Sequence, residues 1–489
     1  MNTHLLALQL MAAQGLLGAF DTLYHHELTE ALPQRSSARR ELAIHATRAT
    51  IYSLLFIGLS AWQWHGIWTA VLMIVFAVEI VLTLWDFVIE DRTRLLPASE
   101  RITHTILAIN GGAFITLLAI NTPTWWSQPA GLVWTPYGFL SIFLFLCGVG
   151  VGLSGIRDAF ASKKISRNDA LEQSTPKIHF SDRRQNVLVT GATGFIGQNL
   201  IRALLANNHH VTILTRHPKQ TAWLFDGKVQ CVEHMKYLLS SDRFDVIVNL
   251  AGARILGWRW TSARKNVLRN SRIELTQTII DWIARSEVKP SLMLTASAIG
   301  YYGIQAKNDN APLSESSPPQ SIFMSTLCQE WESTAAKAEQ YGVHVIRMRF
   351  GLVLGHQGAL PMMMLPIKLG IGGRLGRGSQ WFSWIHVQDL IRGIAHLWQL
   401  HESGQPQPLA DAFNFTSSQT VTQKEFNQIS AKTLHRPNWL PTPGILIRLI
   451  LGEQADLLLE GQRVIPMKLN ATGFSFNYPD LQSALKSLI

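Results

Sequence analysis

Apolar residues crowd the first third of the chain and then give way to a shorter rhythm. Five stretches near 5–22, 46–64, 67–88, 105–121 and 137–155 approach the roughly 20 apolar residues that a helix needs to cross about 30 Å of hydrocarbon. The first lacks both a basic n-region and an A-x-A-like site before Asp21, so it predicts a retained helix rather than a cleaved leader. Residues 156–185 are polar, mixed in charge and without a sustained apolar period, which predicts a linker. Beyond it, short β-branched runs (NVLVT, HVTILT, FDVIVNL, LMLTAS) alternate with helical patterns, one of them a long helix ending near Arg285. That alternation predicts a parallel, doubly wound α/β sheet of Rossmann type. The expected domains are a transmembrane helical domain at 1–155, the linker, a nucleotide-binding domain at 186–430 and a small C-terminal substrate or cap domain at 431–489.

Charge sets the expected orientation. Arg35, Arg39, Arg40 and Arg48 follow the first stretch; Arg92, Arg94 and Arg101 follow the third; Arg157, Lys163, Lys164 and Arg167 follow the fifth. The opposite loops hold Trp62, Trp64, Trp68, Trp125, Trp126 and Trp134 but no Lys or Arg. Short basic loops stay in the cytoplasm and tryptophans collect at the interface, so the N-terminus is expected outside an inner membrane and everything after the fifth helix in the cytoplasm. Composition agrees: among 489 residues, 47% are hydrophobic and only 16% charged, too apolar for an ordinary soluble enzyme. The formal charge of +10 sits beside the apolar runs, which assigns it to membrane lipids rather than nucleic acid. Cys147, Cys231 and Cys328 are too scattered for a disulfide framework or a thiolate zinc site.

The segment VLVTGATGFIGQNLIRALL places Gly191, Gly194 and Gly197 between a predicted strand and a predicted helix. Glycine there lets the backbone approach a pyrophosphate, and the helix N-terminus offers unpaired N–H groups. Thr193, Phe195 and Ile196 complete the turn. At the end of the second strand an acidic residue would select a ribose 2′-hydroxyl and a basic one a 2′-phosphate. The chain has LTRHPK, so Arg216, helped by Lys219, predicts NADP(H).

These residues resemble the extended short-chain dehydrogenase/reductases, within them the atypical sugar-nucleotide-epimerase-like branch that ends in a small domain of unknown function. The likeness runs over roughly 186–489, through GATGFIG, NLAG (Asn249 to Gly252), RWTSARKNVLRNSRIELT, SAIGYYG, CQEWE, RFGLVLG, LGIGGRLGRGSQWFSWIHVQD and LGEQADLLLEGQRVIP. It implies that Leu250, Ala251 and Gly252 lie beside the cofactor, and it says nothing about residues 1–155. The wider superfamily uses a Ser, a Tyr and a Lys four residues later to exchange a proton with substrate. Counting back from Glu332, the Tyr and Lys positions hold Met324 and Cys328, neither of which performs that task. Ser297, Tyr301, Tyr302 and Lys265 remain as catalytic candidates: Ser297 as a donor to a substrate carbonyl, one tyrosine as acid if Lys265 lies close. Packing of the tyrosines into a loop is the structural alternative. Lys265 and Arg272 equally suit an anionic substrate or cofactor phosphates, and Trp258, Trp260, Trp381 and Trp384 an apolar pocket or a core.

The first third also carries more ionisable residues than helix packing requires. Asp21 with His25, Glu41 with His45, Glu100 with His104, and Asp86 with Glu90 are i, i+4 pairs, each on one helix face, and Glu79 lies seven before Asp86. The expected topology brings all of them to one membrane boundary. Two readings stand. Glu41, His45, Asp86, Glu90, Glu100 and His104 form the ligand types of a di-iron or manganese centre, although such bundles use Glu-x-x-His. Alternatively the acids pair with Arg39, Arg40, Arg48, Arg92, Arg94 and Arg101. Three functions follow from the whole sequence: a membrane-anchored NADP(H)-dependent oxidoreductase or epimerase acting on a small or lipid-like substrate, an NADP(H)-binding sensor without turnover, or a metal redox centre fed by NADPH.

Overall fold

In a computed structural model of the chain, every residue is described except 1, 30–31, 33–37, 94–97, 175–176, 258, 307–308 and 405–411. Of the sequence expectations, those on Arg35, Arg94 and Trp258 lie outside the described residues, as do the side chains of Arg92, Lys164 and Arg167. The chain forms two compact units, residues 1–175 with 222–227, and residues 176–221 with 228–489.

Five helices make the first unit: α1 (Thr3–Phe20), α2 (Arg39–Ser60), α3 (Ile67–Thr93), α4 (Ala98–Trp126) and α5 (Phe139–Ser174). All five are long and apolar enough to cross a membrane. The chain leaves α1 through a π-helical stretch, Asp21–Thr29. Between α2 and α3 the strand β1 (Trp62–His65) pairs antiparallel with β2 (Gly131–Trp134), so part of the tryptophan-rich loops is a two-stranded ladder with Trp62 against Trp134. Helices α2 and α5 meet along a seam of small residues. A Cβ on Gly148, Gly152 or Gly155 would come within 2.7–2.8 Å of Ile57, Ser53 or Ala49. Small residues let backbones approach where side chains cannot intervene.

Two expectations about this unit are corrected. The second helix begins at Arg39 and ends at Ser60 rather than running 46–64, because polar residues continue its hydrogen-bond ladder and the ladder of β1 ends it. The expected linker is helical over 156–174 as part of α5; the stretch contains no glycine or proline after Gly155 until Pro176, so nothing breaks the helix.

In the second unit β3 (Asn186–Thr190) leads into α6 (Phe195–Ala206), β4 (His210–Leu214), α7 (Pro218–Leu224), β5 (Gln230–Val232), β6 (Val246–Asn249), α8 (Ser262–Arg285), β7 (Leu292–Ala298), α9 (Phe323–Ala336) and β8 (His344–Phe350). With the strand Ala412–Phe415 these form a seven-stranded sheet in the order β5-β4-β3-β6-β7-β8-(412–415). Every pairing is parallel. The order reverses between β3 and β6, and in open α/β sheets the ligand crevice lies at that switch, past the carboxyl ends of the strands. Central strands read as continuous apolar runs because helices cover both faces; Val187, Leu188, Val189, Ile247, Val248, Met293 and Leu294 are all buried. The expected boundary at 430/431 falls inside the helix Gln423–Leu434, which begins with a capping box of Thr422 and Glu425. That helix shares a core with the C-terminal helix Leu481–Leu488.

Candidate functional site

The turn after β3 meets the end of β6. Gly191 has φ +71°, and a Cβ there would lie 2.6 Å from the Leu250 backbone. At Gly197 a Cβ would stand 2.3 Å from the Gly191 carbonyl oxygen, so helix α6 packs onto the turn only through glycine. Below it, the Thr190 hydroxyl donates to Asn249 (2.7 Å) and accepts from the Ala251 N–H (3.2 Å), which locks the two strand ends together. Asn249 passes the network to Thr276, which also accepts from the Trp331 indole.

These elements wall a cavity of about 330 Å³. Gly191, Gly194, Phe195, Ile196, Gly197, Leu250 and Gly252 line one side, as the sequence predicts for cofactor contacts. Thr193, Ala251 and Arg216 are not among its lining residues; Arg216 is exposed just past the end of β4. A turn that only glycine can form, opening on the switch crevice, fits a dinucleotide pyrophosphate.

The opposite wall carries Ser297, Met324, Cys328 and Trp331. Met324 and Cys328 sit one turn apart on α9 and both reach the cavity, so the places of the superfamily's Tyr and Lys are filled by a thioether and a thiol. Burial, with the charge of Glu332 added, pushes the Cys328 thiol up to about 12. Ser297, at the end of β7, is buried and donates to Glu332 Oε1 at 2.6 Å. A hydroxyl has one proton to give, so in this arrangement Ser297 presents acceptor lone pairs to the cavity, not the donor expected from the sequence. Arg349 grips Glu332 with Nε and Nη2, each at 2.8 Å. Burial would lower this guanidinium, but the Glu332 carboxylate outweighs it and holds Arg349 above its ordinary value.

The cation beside the tyrosines is also Arg349 rather than Lys265. Its guanidinium lies 3.4 Å from the Tyr301 ring centroid and donates to the Tyr302 hydroxyl at 3.0 Å. Tyr302 in turn donates to Asn414 Oδ1 at 2.6 Å, and burial pushes its phenol up to about 12. Neither tyrosine lines the cavity. Lys265 instead pairs with Glu453 at 2.6 Å and lies over the Phe323 ring. Arg272 does line the cavity, held by the carbonyls of Leu268 and Ala253 and packed under Gly252. Trp384 is fully buried core, whereas Trp381 packs against Arg463 and Trp260 against Phe323. Arg349 escaped the sequence reading, although a charged residue inside a central parallel strand was a signal.

In the first unit Glu41, His45, Asp86, Glu90, Glu100 and His104 come together, joined by Asp21, His25 and His26. Pairing between helices is prominent. His45 Nε2 lies 3.1 Å from Asp86, and His104 lies 3.1 Å from Asp21 and 3.3 Å from Glu90. Asp21 with His25, at 2.8 Å, keeps the i, i+4 contact that the spacing implies. Arg48 pairs with Asp86 at 2.6 Å and Glu79 at 3.3 Å, while Arg39, Arg40 and Arg101 are exposed.

Fold, switch-point turn and motif set define an extended short-chain dehydrogenase/reductase. Residues 187–414 match the NAD dependent epimerase/dehydratase family and residues 442–488 a domain of unknown function, DUF1731. The chain is 38% identical over 311 residues to an epimerase family protein of Staphylococcus epidermidis, covering 98% of that protein and 62% of this chain. It is 36% identical over 314 residues to the epimerase family protein YfhF of Bacillus subtilis, again covering 98% of it and 62% of this chain. The crystal structure of human epimerase family protein SDR39U1 with NADPH is similar at 32% identity and a TM-score of 0.55, with 98% of that chain and 62% of this one covered. The chain belongs to the NAD(P)-binding epimerase family, with the C-terminal domain of unknown function that its sequence suggested. Both family matches begin after residue 186, past the five helices α1–α5.

Proposed function

We propose that this chain is an NADP(H)-dependent oxidoreductase or epimerase-like enzyme, anchored in the cytoplasmic membrane, that acts on a carbonyl or hydroxyl of a small or lipid-like substrate. The observation that carries the reading is a single cavity bounded on one side by the glycine turn and on the other by Ser297. The glycine turn would hold NADP(H), which would supply or accept the hydride when bound. The relative solved with NADPH and the exposed Arg216 past β4 favour the phosphorylated cofactor. In alcohol oxidation, Ser297 accepts the substrate hydroxyl proton as its own proton moves to Glu332, which Arg349 keeps in place. Membrane anchoring rests on the five apolar helices and on their outward faces. Leu54, Ile74, Leu84, Ile109, Ile142 and Leu146 are exposed, whereas Glu41, Glu90 and Glu100 are buried. The one-sided basic loops favour an external N-terminus and a cytoplasmic nucleotide domain.

Binding without turnover is the second reading, favoured by the thioether and the high thiol at positions 324 and 328. Incubating full-length protein with NADPH and a broad carbonyl panel separates the two. The enzyme reading expects turnover that falls at least 100-fold in Ser297→Ala, the scale of lost acid–base catalysis, at unchanged NADPH affinity. Tight NADPH binding with no turnover on any substrate would establish the sensor instead.

A further inference from the structure

Three groups of side chains in the helical unit have the spacing of metal ligands. Glu41, His45 and Glu90 form one; Glu90, Glu100 and His104 a second; Asp21, His26 and His104 a third, and within each group the donor atoms lie within 4.8 Å of one another. Bonds of about 2.0–2.2 Å to a shared ion require donors spaced up to about 4.4 Å, so closure needs shifts of a few tenths of an ångström. The first two groups share Glu90. Its Oε1 faces His45 at 3.8 Å and its Oε2 faces His104 at 3.3 Å, an oxygen toward each group. We propose that this centre binds a pair of divalent first-row metal ions, manganese or iron, with Glu90 bridging them, Glu41 and His45 completing one site and Glu100 and His104 the other.

Ion pairing alone leaves this arrangement unexplained. His45 is nine-tenths buried, with Nε2 3.1 Å from Asp86, yet its Nδ1 is buried without a hydrogen-bond partner, as is Asp86 Oδ1. The nitrogen that faces Glu90, at 3.8 Å, is the same Nε2, so a cation between His45 and Glu90 would take the place of the Asp86 contact. Ligating histidines ordinarily give their second N–H to a carboxylate. His104 has that arrangement, with Nε2 toward Asp21 and Nδ1 toward Glu90, and Asp21 is braced by His25 at 2.8 Å. Arg48 braces Asp86. The chain supplies this outer layer from a π-helical stretch, Asp21–Thr29, which brings both His25 and His26 to Asp21, at 2.8 and 3.4 Å. π-Helical turns are rare and concentrate at functional sites. Carboxylates and imidazoles without thiolate suit manganese or iron, and Cys147 is in none of the three groups.

The proposal is independent of the NADP(H) reading, and its test uses metal content. Full-length protein is purified in detergent from cells grown with added iron and manganese, and metals are measured by mass spectrometry against protein. The expected result is one to two equivalents of iron or manganese in the parent, less than half of that in Glu90→Gln and in His45→Ala, and parental content in Thr116→Ala, an exposed position on α4 twelve residues from His104. A single monodisperse peak on gel filtration checks that each variant stays folded. Less than about a tenth of an equivalent in the parent, even after anaerobic incubation with Mn²⁺ or Fe²⁺, overturns the proposal. Unchanged content in both Glu90→Gln and His45→Ala overturns it as well.

Discussion

Arg349 ties three separate pieces of chain together: it grips Glu332 on α9, donates to Tyr302 after β7 and covers Tyr301. No spacing rule reveals such a residue, because its partners are set by which strands become neighbours. The glycines of the turn were legible for the opposite reason, since their constraint is local: Gly191 needs a positive φ and Gly197 a bare backbone. Arg216 lies between these cases. Its place at the end of β4 follows from the sequence, but its role needs the cofactor. Arg216→Ala should weaken NADPH about 10- to 100-fold, the loss of a charged hydrogen bond, and leave NADH nearly unchanged. Titration of both cofactors by fluorescence measures this, and equal losses would remove Arg216 from the 2′-phosphate.

Most strands and helices of the second unit follow the apolar rhythm closely, because a sheet buried on both faces writes itself as continuous apolar runs. The helix ends of the first unit do not, since hydropathy reports the hydrocarbon-length portion and α2, α4 and α5 all continue in polar residues. One element end carries a pH response. His386 caps the helix Val387–Glu402 by accepting the Gln388 N–H at 3.1 Å, and burial, with His356 nearby, lowers it to about 3. The unfolded chain takes up this proton near 6.5 and the folded one near 3, so between those values the unfolded state binds more protons. Stability from this residue is therefore complete above pH 6.5 and is lost as pH falls toward 3, by on the order of 2 kcal/mol at pH 4.5. Thermal unfolding of the parent and His386→Asn at pH 7 and 4.5 tests it. Asparagine keeps a capping acceptor without titrating, so the parent's midpoint should fall further than the variant's; equal falls would assign the acid sensitivity elsewhere.

At the scale of the whole molecule, the basic loops make one more claim. With the three native cysteines replaced, a membrane-impermeant thiol reagent applied outside intact cells should label a cysteine at Gln128 and spare one at Asp182, both exposed positions. The reverse pattern would invert the topology. Set in a bilayer, the bundle has two unlike ends. Carboxylates and imidazoles gather where α1 and α3 finish and α2 and α4 begin. Further along the same helices Leu8, Met11, Phe56, Phe76, Phe114 and Leu118 form an apolar cluster, with polar pairs beside it: Asn110 donates to Gln14 Oε1 at 2.8 Å and His4 lies 3.0 Å from the Tyr137 hydroxyl. An apolar cluster of that kind resists ions, because an ion entering it must leave its hydration shell at a cost of several kcal/mol. In the proposed orientation the charged centre opens toward the cytoplasm, and that is the side from which protons or cations would reach it.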